Sequence, residues 1–309
     1  MRNVILGSLL VLASCSSDDA KPATTTDAGT TTTTIPAVDA GTGSVVDAGS
    51  DAGVDPCGSA LFCEKFESYP TITTITNNQK FGPWHAELIA GSTMVLDGTH
   101  VTSGTSALHV HIDQGKTAGG RLLSDGDQPI LAGTPTHLYG RMMMYIDPNG
   151  TSINWTFFGV NGKVAAGSPE AGRTATYAFS SLPVKNANSY AFVYGLSPTG
   201  DTMGDNAFHD CYDHSTTPMP SAWACVAFEL DSTARKLRLY KDGAATPILS
   251  MDNTGQGCVA PTVGTSPWYG PVVSQLYTGA RSFHDMDAPL DVWIDDLVVD
   301  TKPVSCSAQ

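Results

Sequence analysis

The chain has 309 residues, with 30 acidic and 16 basic side chains and a formal net charge of −14 at pH 7. An acidic chain of this kind argues against nucleic-acid binding, which needs a basic footprint. An anionic substrate would therefore need a locally basic cleft within an acidic body.

Residues 1–15 have the pattern of an export signal. Arg2 supplies a positive charge, residues 4–13 form an apolar run too short to span a bilayer, and small residues precede Cys15. The ending Leu-Ala-Ser-Cys resembles a bacterial lipoprotein signal, which implies that Cys15 becomes a lipidated N-terminus at the outer membrane or cell surface. An ordinary secretory signal and a short membrane anchor are the alternatives.

Residues 16–56 contain almost no large apolar side chains and include an unbroken threonine run at 30–34. The tripeptide Asp-Ala-Gly recurs at Asp27, Asp39, Asp47 and Asp51. Such a segment buries too little apolar surface to offset its ordering entropy, so we expect a disordered linker. It resembles the tethers of surface lipoproteins from bacteria of the myxobacterial type.

Residues 57–309 are predicted to form one all-β domain, and we expect it to be monomeric. Short segments of alternating or continuous apolar character, with Gly and Pro between them, are typical of the strands of an antiparallel sandwich. The clearest are Leu108–Ile112, Tyr139–Ile146, Val226–Leu230, Lys236–Tyr240 and Val292–Val299. Asp242 and Gly243 predict a tight turn.

Five segments, taken in order, resemble the jelly-roll domain of fungal secreted cellulose-induced proteins and their bacterial lipoprotein relatives. They are Phe62–Glu67, Gly104–Val110, Leu138–Met142, Asp210–Cys225 and Val292–Val299. That family is similar in fold to glucuronan and alginate lyases. The resemblance implies an antiparallel β-jelly-roll whose concave face holds a polysaccharide partner, either a uronan or a plant or microbial cell-wall glycan.

Cleavage of a uronan by β-elimination needs a donor that neutralises the uronate carboxylate and a group that moves a proton. Arg141 matches an arginine of the family's Tyr-Gly-Arg strand, and Gln275 and Tyr277 share one face of a predicted strand. These three residues are our candidates for catalysis. A structural ion pair for Arg141 and ordinary half-exposed strand positions for the other two are the alternatives.

Four further residues are candidates for substrate binding: Asn154, Trp155, Tyr194 and His214. Relatives carry His-Trp where this chain has Asn154 and Trp155, so an acid/base is replaced by an amide that cannot move a proton. Relatives also tend to have Glu where this chain has Ala227. Both departures put catalysis in doubt, and a loop-capping role is the alternative for His214.

The closing Trp-Ile-Asp-Asp strand implies a structural calcium ion, because jelly-roll carbohydrate domains commonly bind one through an aspartate on the final strand. Asp295 and Asp296 are the candidates, with Glu67 near the first strand as their partner. Strand alternation would send the two aspartates to opposite faces, so only one is expected to be a direct ligand. A solvated pair at a sheet edge is the alternative.

Six cysteines fall within the predicted domain: Cys57, Cys63, Cys211, Cys225, Cys258 and Cys306. An even set in an exported chain predicts disulfides, but the spacing leaves the connectivity open. We favour Cys211 with Cys225, because a turn-rich stretch lies between them. Cys63 and Cys306 lie near the two ends of the domain, where termini often meet.

Three hypotheses of function remain open at this point. The first is a surface-tethered polysaccharide lyase, and the second is a carbohydrate-binding module that kept the cleft and lost the acid/base. The third is a structural surface lipoprotein. Release of unsaturated uronate would single out the first, whereas glycan binding without turnover would favour the second.

Overall fold

A computed structural model gives the fold of residue 55 and residues 57–70, 72–147, 153–184, 187–197, 211–252 and 269–306. They all belong to a unit that runs from Ala52 to Gln309. The predicted signal with Cys15, nearly all of the predicted linker, and Cys258 lie outside the described residues.

Strands dominate the described part of the chain, with one short helix, α1, at Pro129–Ala132. The strands are β1 (Phe62–Glu64), β2 (Lys80–Phe81), β3 (Trp84–Leu88), β4 (Ser92–Asp97), β5 (Ala107–Ile112), β6 (Gly119–Asp125), β7 (His137–Ile146), β8 (Trp155–Val164), β9 (Thr174–Val184), β10 (Ala187–Leu196), β11 (Cys211–Pro218), β12 (Ala224–Asp231), β13 (Lys236–Lys241), β14 (Leu249–Asp252), β15 (Pro271–Ser282) and β16 (Leu290–Asp300). In this part of the chain no helix has the length and apolar character needed to cross a membrane.

The strands form two antiparallel sheets of eight strands each. Sheet A has the order β14-β13-β12-β7-β16-β5-β4, and β1 also pairs with β16. Sheet B has the order β11-β10-β9-β8-β15-β6-β3-β2. Half of the neighbouring strand pairs are not consecutive in sequence, because the chain crosses between the sheets repeatedly, as in a jelly roll.

The hydrophobic core lies between the two sheets and follows the period of two along each strand. On β7, for example, Leu138, Met142 and Met144 are fully buried in the core, whereas Tyr139 and Tyr145 lie half-buried on the outer face of sheet A. The five clearest predicted strands are confirmed as parts of β5, β7, β12, β13 and β16.

The predicted turn at Asp242 and Gly243 is also confirmed. Both residues have a positive φ, 49° and 74°, and Ala244 N donates to Lys241 O at 3.0 Å, which closes the turn after β13. Glycine suits the second position because it adopts positive φ without steric cost.

The described residues contain two disulfides, and neither has the predicted pairing. Cys225 bonds Cys306, which ties the end of the chain to β12, so the predicted Cys211–Cys225 bond is wrong. Cys63 bonds Cys57 rather than Cys306. The prediction failed because it used sequence proximity, whereas Cys225 and Cys306, 81 residues apart in sequence, have Cα atoms 5.8 Å apart. Two disulfides fit an exported domain.

Candidate functional site

The three predicted catalytic residues do not converge. Arg141 lies on β7 in sheet A, whereas Gln275 and Tyr277 lie on β15 in sheet B. Arg141 points away from the core, since its neighbours Gly140 and Met142 face the opposite way. The guanidinium is therefore on the far side of the sandwich from Tyr277, and the predicted common cleft is wrong.

Arg141 has the surroundings of a structural cation. Its side chain is only 7% exposed, and the nearby negative charge is that of Asp296 on β16. Burial lowers the pKa of the guanidinium, and Asp296 partly offsets that effect. The structure therefore favours the ion-pair alternative for this residue.

Tyr277 lies on the outer face of sheet B, opposite the main core. It forms a separate apolar cluster with Leu123 and Ala178, whereas its neighbour Leu276 belongs to the core between the sheets. Its ring leans across β8 above Gly159, where an added Cβ would lie 2.3 Å from the phenol oxygen. Only glycine at position 159 leaves room for this ring.

Two arginines surround this tyrosine and share one carboxylate. Arg121 on β6 lies over the Tyr277 ring, with 4.9 Å from its guanidinium carbon to the ring centroid. Arg121 Nε donates to Glu87 Oε2 at 3.1 Å, and Arg281 Nη1 donates to Glu87 Oε1 at 3.1 Å. This cluster of Arg121, Glu87, Arg281 and Tyr277, which we call the arginine–tyrosine cluster, is the local basic patch that an anionic substrate requires.

A row of amides and hydroxyls runs beside the arginine–tyrosine cluster. Asn161 on β8 donates to Gln275 Oε1 at 3.0 Å, and Thr176 on β9 donates to Asn161 Oδ1 at 2.6 Å. Because Gln275 contacts Asn161 and Tyr277 contacts Gly159, the predicted placement of Gln275 and Tyr277 on one strand face is confirmed. This row offers neutral donors and acceptors next to the two arginines.

The Tyr277 hydroxyl is buried and has a raised pKa. Burial raises the pKa of this phenol to about 12, although the positive charges of Arg121 and Arg281 and a weak hydrogen-bond contact with Arg121 act in the opposite direction. Among the residues that the structure describes, the hydroxyl has no hydrogen-bond partner of normal geometry. A phenol with this pKa stays protonated at neutral pH, and its oxygen is buried.

The other predicted substrate-binding residues do not join this cluster. Trp155 and Tyr194 face the main core and are 1% and 3% exposed, and the Tyr194 hydroxyl accepts a hydrogen bond from Tyr269 N at 3.0 Å. Asn154 is half-buried just before β8. His214 lies on the edge strand β11, which three strands separate from β15. Apart from Asn154, these residues have structural roles or lie far from the arginine–tyrosine cluster.

Asp295 and Asp296 both contact one loop, contrary to the prediction from strand alternation. A β-bulge in β16, at which Asp296 adopts a φ of 47°, interrupts the period of two. Thr102 Oγ1 donates to Asp295 Oδ2 at 2.9 Å and to Asp296 Oδ2 at 3.3 Å, and Ser103 Oγ donates to Asp296 Oδ1 at 2.8 Å. Both carboxylates are fully buried, and burial together with the charge of Asp296 raises the pKa of Asp295.

Glu67 binds the same loop a few residues further on. Its Oε1 accepts hydrogen bonds from the backbone N–H groups of Thr105 and Ser106, both at 2.8 Å, and its Oε2 accepts from Thr105 Oγ1. Within the described ranges no three His, Cys, Asp or Glu side chains are arranged to hold a metal ion. The predicted trio of Glu67, Asp295 and Asp296 is therefore not a ready-made three-carboxylate centre.

Sequence reasoning missed most of the arginine–tyrosine cluster. Glu87 on β3 and Arg121 on β6 are neighbours across the sheet, and Arg281 approaches them only because β15 lies beside β6. The available signal was the alternation of Trp84, His85, Ala86 and Glu87, which places His85 and Glu87 on one strand face. Nothing in the sequence identified the strands that would lie beside it.

The sheet order and the two-layer core define an antiparallel β-sandwich of jelly-roll type. No protein-family model and no curated protein sequence matches the chain. Among solved structures it is similar to the cellulose-induced protein Cip1, with 17% identity, coverage of 80% of this chain and 100% of that chain, and a TM-score of 0.50. This similarity confirms the predicted fold.

Two other solved structures are more distant. The endo-β-1,4-glucuronan lyase of the fungus Trichoderma reesei has 15% identity and a TM-score of 0.46, with coverage of 73% of this chain and 94% of that chain. The binding domain of botulinum neurotoxin serotype C1 has 10% identity and a TM-score of 0.40, with coverage of 76% of this chain and 49% of that chain.

Proposed function

We propose that the outer face of sheet B binds an acidic polysaccharide, whose uronate carboxylates are received by Arg121 and Arg281. The observation that supports this proposal is that two arginines meet at a buried tyrosine in a chain of net charge −14. Arginine presents paired donors that match a carboxylate. Asn161 and Gln275, next to the cluster, provide the neutral hydrogen bonds that sugar hydroxyls need.

Glu87 sets the strength of this binding. Its carboxylate accepts hydrogen bonds from both arginines, so a uronate must share these donors with Glu87 or displace it. Replacing Glu87 with glutamine removes the competing charge and should tighten binding several-fold. Replacing Arg121 with glutamine removes a charged hydrogen bond worth roughly 1.5–3 kcal/mol, which is about a 10- to 100-fold loss of affinity.

Isothermal titration with polyglucuronate tests the binding proposal. Arg238→Gln is the matched control, because Arg238 also pairs with a carboxylate, Asp252 at 2.9 Å, but lies on sheet A. We expect opposite changes for Arg121→Gln and Glu87→Gln and no change for the control. Equal affinity in all three variants would refute the proposed face.

β-Elimination on this face is a second candidate function, favoured by the protonated Tyr277 hydroxyl beside Arg121 and Arg281. In that reaction a base takes the C5 proton, the C4–C5 double bond forms, and the C4–O bond breaks as Tyr277 protonates the leaving oxygen. Ultraviolet absorbance of the unsaturated uronate measures turnover. Tyr277→Phe should abolish turnover and leave polyglucuronate affinity within a few-fold, because only the transition state needs the proton.

We also propose that Cys15 carries a lipid that holds the domain at the outer membrane or cell surface. The Leu-Ala-Ser-Cys ending and the disulfide-bonded domain support this anchor. Fractionation of cells should find the wild-type protein with membranes and the Cys15→Ser variant in the soluble fraction. A soluble wild-type protein would contradict the anchor.

A calcium ion at the Asp295–Asp296 pair is a further part of the proposal. When both are ionised, two adjacent buried carboxylates with one nearby arginine leave one negative charge in excess, and calcium prefers carboxylate, hydroxyl and backbone oxygens. Asp295 and Asp296 fit as two ligands, with neutral oxygens needed to complete the coordination. The ion would stabilise the 102–106 loop against β16.

A further inference from the structure

A pocket of about 290 Å³ opens on the outer face of sheet A, on the opposite side of the sandwich from the arginine–tyrosine cluster. Its floor is Ala227 on β12, which pairs with Tyr240 on β13. Two residues along β12, Glu229 pairs with Tyr139 on β7. The pocket thus has two phenol rings and one carboxylate around a small alanine floor.

The far wall of the pocket is the C-terminal segment 303–306, and it is covalently fixed. The Cys225–Cys306 disulfide ties this segment to β12. Gly243, which also lines the pocket, lies so close to the segment that an added Cβ would be 2.7 Å from Cys306 O. A wall held by a disulfide and by close backbone contact makes the pocket preformed, which lowers the entropy cost of binding.

Glu229, the one charged side chain among the described residues that line the pocket, disfavours an acidic ligand. Glu229 is the one carboxylate among the described lining residues, and neither lysine nor arginine lines the pocket. The Glu229 carboxylate already lies 3.0 Å from His137 Nε2. Burial, followed by the charges of Glu229 and Asp231, raises the pKa of Tyr139. A uronate would meet the negative charge of Glu229 inside the pocket, whereas the outer face of sheet B presents two arginines.

We propose that this pocket binds one uncharged pyranose sugar residue. Tyrosine rings offer flat apolar faces to the C–H groups of a sugar, and their hydroxyls together with Glu229 offer partners to sugar hydroxyls. The volume lies just below the range of about 300–1,000 Å³ typical of pockets for drug-sized ligands, which suits a single ring. This site is independent of the uronan face, because it uses the other sheet and a ligand of different charge.

NMR of the full chain, with ¹⁵N-labelled alanine and tyrosine, tests the site. The probes are the methyl glycosides of glucose, galactose, mannose and xylose, each titrated to saturation. At least one should shift the Ala227 and Tyr240 amides together, and methyl glucuronide should bind at least tenfold more weakly at pH 7. We expect Tyr240→Ala to weaken binding at least tenfold and Ala227→Leu to abolish it by filling the floor.

Tyr212→Ala is the matched control, since Tyr212 is exposed on β11 of sheet B and should leave glycoside binding unchanged. If Tyr240→Ala does not fold, Tyr240→Phe keeps the ring, removes the hydroxyl and should weaken binding several-fold. The proposal is overturned if none of the four glycosides shifts both amides, or if methyl glucuronide binds equally well. It is also overturned if tetramethylammonium alone shifts them, which would indicate a cation cage.

Discussion

Replacement of Arg141 by methionine distinguishes a structural cation from a substrate-binding one. Arg141 is 7% exposed and faces the charge of Asp296, which is itself fully buried beside Asp295. Methionine keeps an unbranched apolar stem like that of arginine, so the change removes mainly the guanidinium group with its charge and hydrogen bonds. It leaves two buried carboxylates without their nearby cation.

The expected loss of stability follows from removing the positive charge that compensates the buried carboxylates. Breaking a buried ion pair by removing one partner costs about 3–5 kcal/mol. The hydroxyls of Thr102 and Ser103 still bind the carboxylates, so we expect the lower end, about 3 kcal/mol. For a domain of this size that corresponds to a fall in Tm of roughly 6–12 °C. Asp296→Asn, added to Arg141→Met, should recover part of this loss because it removes the orphaned charge.

Thermal unfolding followed by circular dichroism measures the effect, and polyglucuronate titration is run on the same samples. Arg238→Met is the control, since its half-buried pair with Asp252 on the same sheet should be worth no more than about 1 kcal/mol. Uronan affinity should be unchanged in Arg141→Met. The structural interpretation is refuted if Tm stays within about 2 °C of wild type, or if uronan affinity falls tenfold.

Three further predictions test the calcium site at the β16 bulge, His109 on β5, and the packing of Tyr277 against Gly159. Chelator should lower Tm in the wild type and have no effect in Asp295→Asn, because binding to the native state alone stabilises it; an insensitive wild type would contradict the calcium site. Burial disfavours protonated His109, but its hydrogen bonds to Asp291 and Asp97 outweigh this and raise its pKa. The contribution of protonated His109 to the free energy of unfolding should therefore be complete below about pH 6.5 and be lost as pH rises through the raised pKa. Urea unfolding at several pH values should show this pH dependence in the wild type and a weaker one in His109→Gln. Gly159→Ala should cost roughly 1–3 kcal/mol by overpacking against Tyr277 and weaken polyglucuronate binding, and an unchanged Tm would contradict the close approach.

The sequence alone determined the fold class and the strands that carry it. Alternation along segments such as Leu108–Ile112 and Lys236–Tyr240 is a local property, because a half-buried strand needs apolar side chains at every second position. The turn at Asp242 and Gly243 was equally local, since few residues adopt positive φ at low cost. These features were confirmed without knowledge of which strands pair.

Only the tertiary structure decided which residues meet. Arg141 and Tyr277 were predicted to share a cleft, but strand order places them on different sheets, and the two arginines beside Tyr277 come from β6 and the far end of β15. The bulge at Asp296 likewise overrode the period of two that had separated the aspartates. Strand pairing and bulges depend on contacts between segments that are distant in sequence, so periodicity can identify each strand but not its neighbours.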